Sequence, residues 1–103
     1  IIDYAFVYCR SLSNIVISDS VTTIGKWAFY DCSSLPNIVI PNSVTKIGDY
    51  AFSDCSSLSN IVIPDSVTDI GYGAFSGCSL SYDFKQELIS RFGNKIFSNY
   101  DTN

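Results

Sequence analysis

Four cysteines, Cys9, Cys32, Cys55 and Cys78, stand 23 residues apart at every step. Thiols can bind a soft metal, pair as disulfides or act as nucleophiles. The even step opposes a metal centre: it lines the sulfurs up in a row, whereas zinc wants a tetrahedron. The chain also has no His, and no C-x-x-C pair is present. Two readings remain. Neighbouring parallel strands run about 5 Å apart, which is within bridging range. Alternatively, the thiols form a ladder of small buried side chains in one core column, and this second reading predicts four reduced, slowly reacting cysteines. Without His there is no Ser-His or Cys-His nucleophile and no imidazole base.

Carboxylates are the remaining candidates for catalysis. Asp31 and Asp54 repeat in one column, and Asp19 and Asp65 in another. Paired acids can cleave glycosides, but aspartates in tight corners more simply accept backbone N–H groups. The stretch "GYGAFSG" lies inside the repeat and does not form a phosphate-cradling loop. The expectation is no enzyme, no cofactor and no metal site.

Charge narrows the partners. The formal net charge is −4, and charged residues make up only 16% of the 103 residues. Residues 1–80 carry seven Asp against Arg10, Lys26 and Lys46, whereas residues 81–103 balance three acids with three bases. An acidic body without a basic stripe excludes nucleic acid and anionic lipid as expected partners. No apolar run approaches the roughly eighteen residues of a membrane span, so no insertion is expected. The opening "IIDYAF" falls part-way through a repeat. It suggests a piece of a longer or processed product.

The organising feature is that repeat. "AFYDCSSLPNIVIPNSVTKIG" (28–48) returns as "AFSDCSSLSNIVIPDSVTDIG" (51–71). Phe6, Phe29, Phe52 and Phe75 keep the step, as do Ile1, Ile24, Ile47 and Ile70. One such unit cannot bury its own apolar side. Stacked units put Ile on Ile and Phe on Phe, making one continuous core. "NIVI" is β-branched and alternates with period two, so each copy should give a short strand to a parallel sheet. Pro41 and Pro64 should end it. "SVTxIG" should form a second short extended or turn segment. Gly25, Gly48 and Gly71 should allow a bend or a close contact between copies.

The words L-x-x-I-x-I-P…S-V-x-x-I-G-x-x-A-F-x-x-C resemble the BspA-like leucine-rich repeats of bacterial surface proteins, which also occur in some protists. The resemblance covers residues 1–80. Departures are small: Ser18 for Pro, Ile2 for Gly, and one Ser fewer before Leu80. It implies a curved β-rich solenoid used for adhesion or protein binding at the cell surface or outside the cell, not for catalysis.

Residues 81–103 abandon the period. Phe84, Leu88, Ile89 and Phe92 share one helical face. Asp83 is the expected N-cap, with Gln86 completing a capping box, and Gly93 stands where the helix should stop. A stack of repeats needs its last copy covered, and this segment, similar to C-terminal caps of that family, is the expected lid. "SNYDTN" (98–103) is polar and expected to fray. No such lid precedes Ile1, so residues 1–10 should leave an open edge at which self-association is possible.

Two surfaces are candidates for binding. Between copies the residues around "IGxxAFxx" vary most, and they are rich in aromatics. Tyr4, Trp27 and Tyr50 share one column; Tyr8, Tyr30 and Tyr72 lie in nearby ones. Such side chains dominate interface hot spots, although they can also simply seal the edges of the copies. The second surface is the outer face of the "NIVI" sheet: Asn14, Val16, Asn37, Val39, Asn60 and Val62. It is flat and uncharged, as plain exposed sheet positions also are. The expected function is an interaction or adhesion module with a protein or surface ligand.

Overall fold

The structure is a computed structural model and describes residues 1–98. Its strands are short and parallel. β1 (Thr23–Ile24), β2 (Asn37–Val39), β3 (Lys46–Ile47), β4 (Asn60–Val62) and β5 (Asp69–Ile70) precede one α-helix, α1 (Tyr82–Phe92), and a 3-10 turn (Asn94–Phe97). β1, β3 and β5 form a three-stranded sheet, and β2 and β4 a two-stranded one. Register follows the repeat: Ile24 pairs with Ile47 and Ile47 with Ile70, while Ile38 pairs with Ile61. Each copy therefore lays its residues beside the same residues of the next copy. The "SVTxIG" segment makes the wider sheet.

One strand expected from the repeat is absent. Asn14–Ile17 has the same residues as β2 and β4 but joins neither sheet. Among the described residues this copy is packed from one side only, and Ile15 is merely half-buried. Ser18 also stands where the later copies have Pro. Its hydroxyl accepts from the Ser20 amide at 3.2 Å and pairs with the Ser20 hydroxyl at 2.9 Å. That local turn competes with a ladder for the chain.

The core is a set of columns. Phe29, Phe52 and Phe75 stack at 5.1 and 5.5 Å with rings 2° from parallel, and Phe6 joins at 5.1 Å. Ile24, Ile47 and Ile70, then Leu35 and Leu58, are sealed from solvent alongside them. Each such side chain contributes about 1.5–3 kcal/mol on burial. Between copies the backbone approaches very closely at the glycine column. A Cβ on Gly48 would lie 2.7 Å from the Lys26 nitrogen. Close approach between copies, not a left-handed bend, is therefore what demands glycine there.

α1 follows the last copy and joins the core through Leu88. Its N-cap is Ser81, whose hydroxyl accepts from the Phe84 amide at 3.3 Å. Asp83, expected as the cap, lies inside the first turn instead. The helix therefore begins earlier than its apolar spacing suggests, and the Asp83 charge acts on the positive end of the helix dipole. Gly93 ends the helix at φ 84°, its amide donating to the Ile89 carbonyl at 2.7 Å. Leu88 is fully buried, with Phe84, Ile89 and Phe92 half-buried. The Arg91 guanidinium reaches the Ile63 and Pro64 carbonyls at 3.3 and 3.4 Å.

The 3-10 turn does something the sequence reading missed. Gly73 and Phe75 donate to the Lys95 and Ile96 carbonyls, continuing the amide ladder that links earlier copies. Ile96 is fully buried, and Phe97 extends the phenylalanine column at 6.5 Å from Phe75. "KIF" thus acts as a last rung in place of "AF". Its signal was an apolar pair one residue short of the period. Of the polar end expected to fray, residues 99–103 lie outside the described residues.

Candidate functional site

The turn "GxxAFxx" is built from short i→i−3 bonds, such as Ala28 amide to Gly25 carbonyl, and from amides that reach the next copy, such as Trp27 to the Asp49 carbonyl at 3.0 Å. Two of its positions have left-handed backbone. One holds Tyr4, Trp27, Tyr50 and Gly73, with φ from 57° to 66°; the other holds Tyr8, Asp31, Asp54 and Gly77, with φ from 60° to 79°. Such geometry costs a residue with a Cβ roughly 1–2 kcal/mol. Glycine takes both positions in the last copy, whereas aromatics and aspartates take them earlier.

That backbone presents an aromatic ridge. Trp27 and Tyr50 stack at 4.4 Å, and Tyr4 lies parallel to Trp27 at 6.4 Å. Tyr30 meets Trp27 edge-on at 4.9 Å and Tyr8 at 5.6 Å, and Tyr72 meets Tyr50 at 6.1 Å. Tyr4 and Tyr8 are each 57% exposed and Tyr72 37%, while Trp27, Tyr30 and Tyr50 are half-buried. All six aromatics thus form one contiguous surface. The ridge ends on Gly73, where a Cβ would collide with the Tyr50 ring.

The second expected surface is less well joined. Asn37, Val39, Asn60 and Val62 line the outer face of β2 and β4, with Val39 and Val62 exposed. Asn14 and Val16 lie outside that ladder. A groove of about 590 Å³ is lined by residues on both sides of this break, including Ile15, Val16, Ile38 and Val39.

Acids and thiols serve packing between copies. Asp3 and Asp49 accept the Lys26 and Tyr72 amides of the next copy at 2.8 and 2.9 Å. The expected aspartates differ: Asp19 and Asp65 are exposed, and Asp31 is ion-paired with Arg10 at 2.6 Å. Each thiol after the first donates to a phenylalanine carbonyl of the preceding copy: Cys32 to Phe6, Cys55 to Phe29 and Cys78 to Phe52, at 3.0–3.2 Å. Burial is uneven. Cys32 and Cys55 are sealed, but Cys9 and Cys78, at the outer copies, are half-buried. The hydrogen bond with Cys32, then burial, pushes the Cys55 thiol up; burial pushes Cys78 up to about 12. Among the described residues no three His, Cys, Asp or Glu side chains gather to hold a metal ion, and no helix is long and apolar enough to cross a membrane.

Comparison with known proteins agrees with this architecture. A leucine-rich repeat protein from Bacteroides ovatus is 33% identical, with a TM-score of 0.74, over 77% of this chain and 21% of its own. A leucine-rich repeat protein of T. pallidum is 38% identical, with a TM-score of 0.72, over 74% of this chain and 36% of its own. The chain thus spans well under half the length of either. No curated protein matches. A family model described as "BspA type Leucine rich repeat region (6 copies)" matches residues 1–103. With its repeat register, its parallel strands and that match across the whole length, the chain belongs to the BspA-type leucine-rich repeat family.

Proposed function

We propose that this chain is a non-catalytic protein-interaction module of a cell-surface or secreted bacterial protein. In this reading residues 1–80 form a short solenoid, residues 81–103 cap it, and the aromatic ridge takes the partner. One observation carries it: Tyr4, Trp27 and Tyr50 occupy a left-handed position that the last copy fills with glycine. Stacking within the ridge offsets part of that backbone cost. A core, however, has no use for a ring as exposed as Tyr4, at 57%. Large flat side chains give contact area at little entropic cost.

A displayed random-peptide library selected on the whole chain tests this. Peptides should be recovered, and Trp27→Ala should weaken them by about 2 kcal/mol, as hot-spot truncations do, with melting little changed. If Trp27→Ala instead melts far earlier yet binds the same peptides normally when folded, Trp27 seals an edge and the ridge is not the site.

A second reading is self-assembly through the edge of the first copy. The Lys26, Ala28 and Tyr30 carbonyls accept amides from that copy. The matching carbonyls of Asp3, Ala5 and Val7 receive no backbone amide among the described residues. Light scattering over a concentration series separates the two: mass that grows with concentration favours assembly, and a constant monomer favours a foreign partner.

A further inference from the structure

Arg10 shows how this surface holds a cation. Its Nε and Nη2 both donate to Asp31 Oδ2, at 2.9 and 2.6 Å, and its guanidinium lies 5.2 Å from the Tyr8 ring centre. The hydrogen bonds that Arg10 donates to Asp31, then the Asp31 charge, hold the Arg10 pKa up. One copy later the acceptor returns without the cation. Asp54 has the same left-handed φ of 60° as Asp31, and its carboxylate lies over Gly77 of the next copy. The arginine column, however, continues as Ser33, and Ser53 replaces Tyr30. Asp54 is exposed, and no cation pairs with it among the described residues. Where Tyr8 lies under the first guanidinium, the repeat places Asp31, a second carboxylate.

We propose that Asp54 anchors an arginine side chain of a protein partner docked along the aromatic ridge. The inference rests on the interaction-module reading and adds the partner's chemistry. Charge complementarity favours it: residues 1–80 carry seven Asp against three basic side chains. Arginine suits the slot better than lysine, because its planar fork of N–H groups repeats what Arg10 does in the chain itself. An exposed ion pair alone is weak. Arg and aromatic contacts together are what make an interface hot spot.

The test uses the whole chain and acetyl-arginine amide, followed by NMR at the Asp54 carboxyl carbon and the Gly77 amide. Saturable shifts are expected, at least tenfold weaker with the neutral citrulline analogue and lost in Asp54→Asn. Arg10→Ala should open the Asp31 slot and add a second site. Equal binding of the citrulline or lysine analogue, or shifts that survive Asp54→Asn, would overturn the proposal. Library peptides that ignore Asp54→Asn but are lost in Trp27→Ala would overturn it too, while leaving the interaction module standing.

Discussion

Cys32 and Cys55 illustrate how much one side chain is asked to do. Each fills a small core volume and also gives a phenylalanine carbonyl of the copy before it a second donor, beside the backbone amide of that copy's own cysteine, so the buried thiol has a partner. Thiol ionisation then opposes folding. A thiol raised in the folded state, as Cys55 and Cys78 are, keeps its proton while the unfolded chain loses it above about pH 8.5. Stability should be level below about pH 8. Above that it should fall by about 1.4 kcal/mol per pH unit for Cys78, until the folded pKa is passed; in the Cys32–Cys55 pair the shared hydrogen bond lowers Cys32 as it raises Cys55, and the two oppose each other. Denaturant melts from pH 7 to 10 measure this, and a flat profile would contradict it. Thiol labelling at pH 7.5 adds a residue-level readout: Cys9 should react first, and Cys32 and Cys55 only on unfolding. Rapid native labelling of Cys32 or Cys55 would contradict the burial assigned to them.

α1 shows how local chemistry sets an element's limits. Both Ser81 and Asp83 are good N-cap types, and the capping-box spacing favours Asp83 on paper. Ser81 wins because the chain leaves the last repeat there in extended conformation, at φ −64° and ψ 155°, which is the backbone an N-cap needs. Ser81→Ala should therefore cost about 1 kcal/mol of stability. Asp83→Ala should cost less, removing only a favourable charge in the first turn, about 0.3–1 kcal/mol. Thermal melts of the two variants decide between the caps; a larger loss for Asp83→Ala would move the cap back. The strands teach the same lesson from the other side. "NIVI" at Asn14–Ile17 repeats the residues of 37–40 and 60–63 letter for letter but stays unpaired, because packing from one side and the Ser18 turn leave its register unheld.

At the scale of the whole molecule, stability is a sum over neighbouring copies, and the end copies are its weak points. In the proposed reading of residues 81–103 as a cap, Leu88 covers the last copy, and Ile96 with Phe97 extends the phenylalanine column. A chain ending at residue 80 should expose Phe75 and Leu80, melt earlier and aggregate. A truncated chain that stays monomeric with unchanged melting would make the cap dispensable. The sequence by itself determined the 23-residue register, the inward columns, the helix and its Gly93 stop. Those features depend on residue type at fixed spacing, and stacking identical copies forces like onto like. Only the tertiary structure decided the rest. The left-handed backbone under Trp27 and Tyr50 depends on how a turn closes against the next copy. Asp31 differs from Asp54 because Arg10 reaches it from 21 residues away. The gathering of six aromatics from separate columns into one ridge arises from the spacing between copies, a distance the linear sequence does not contain.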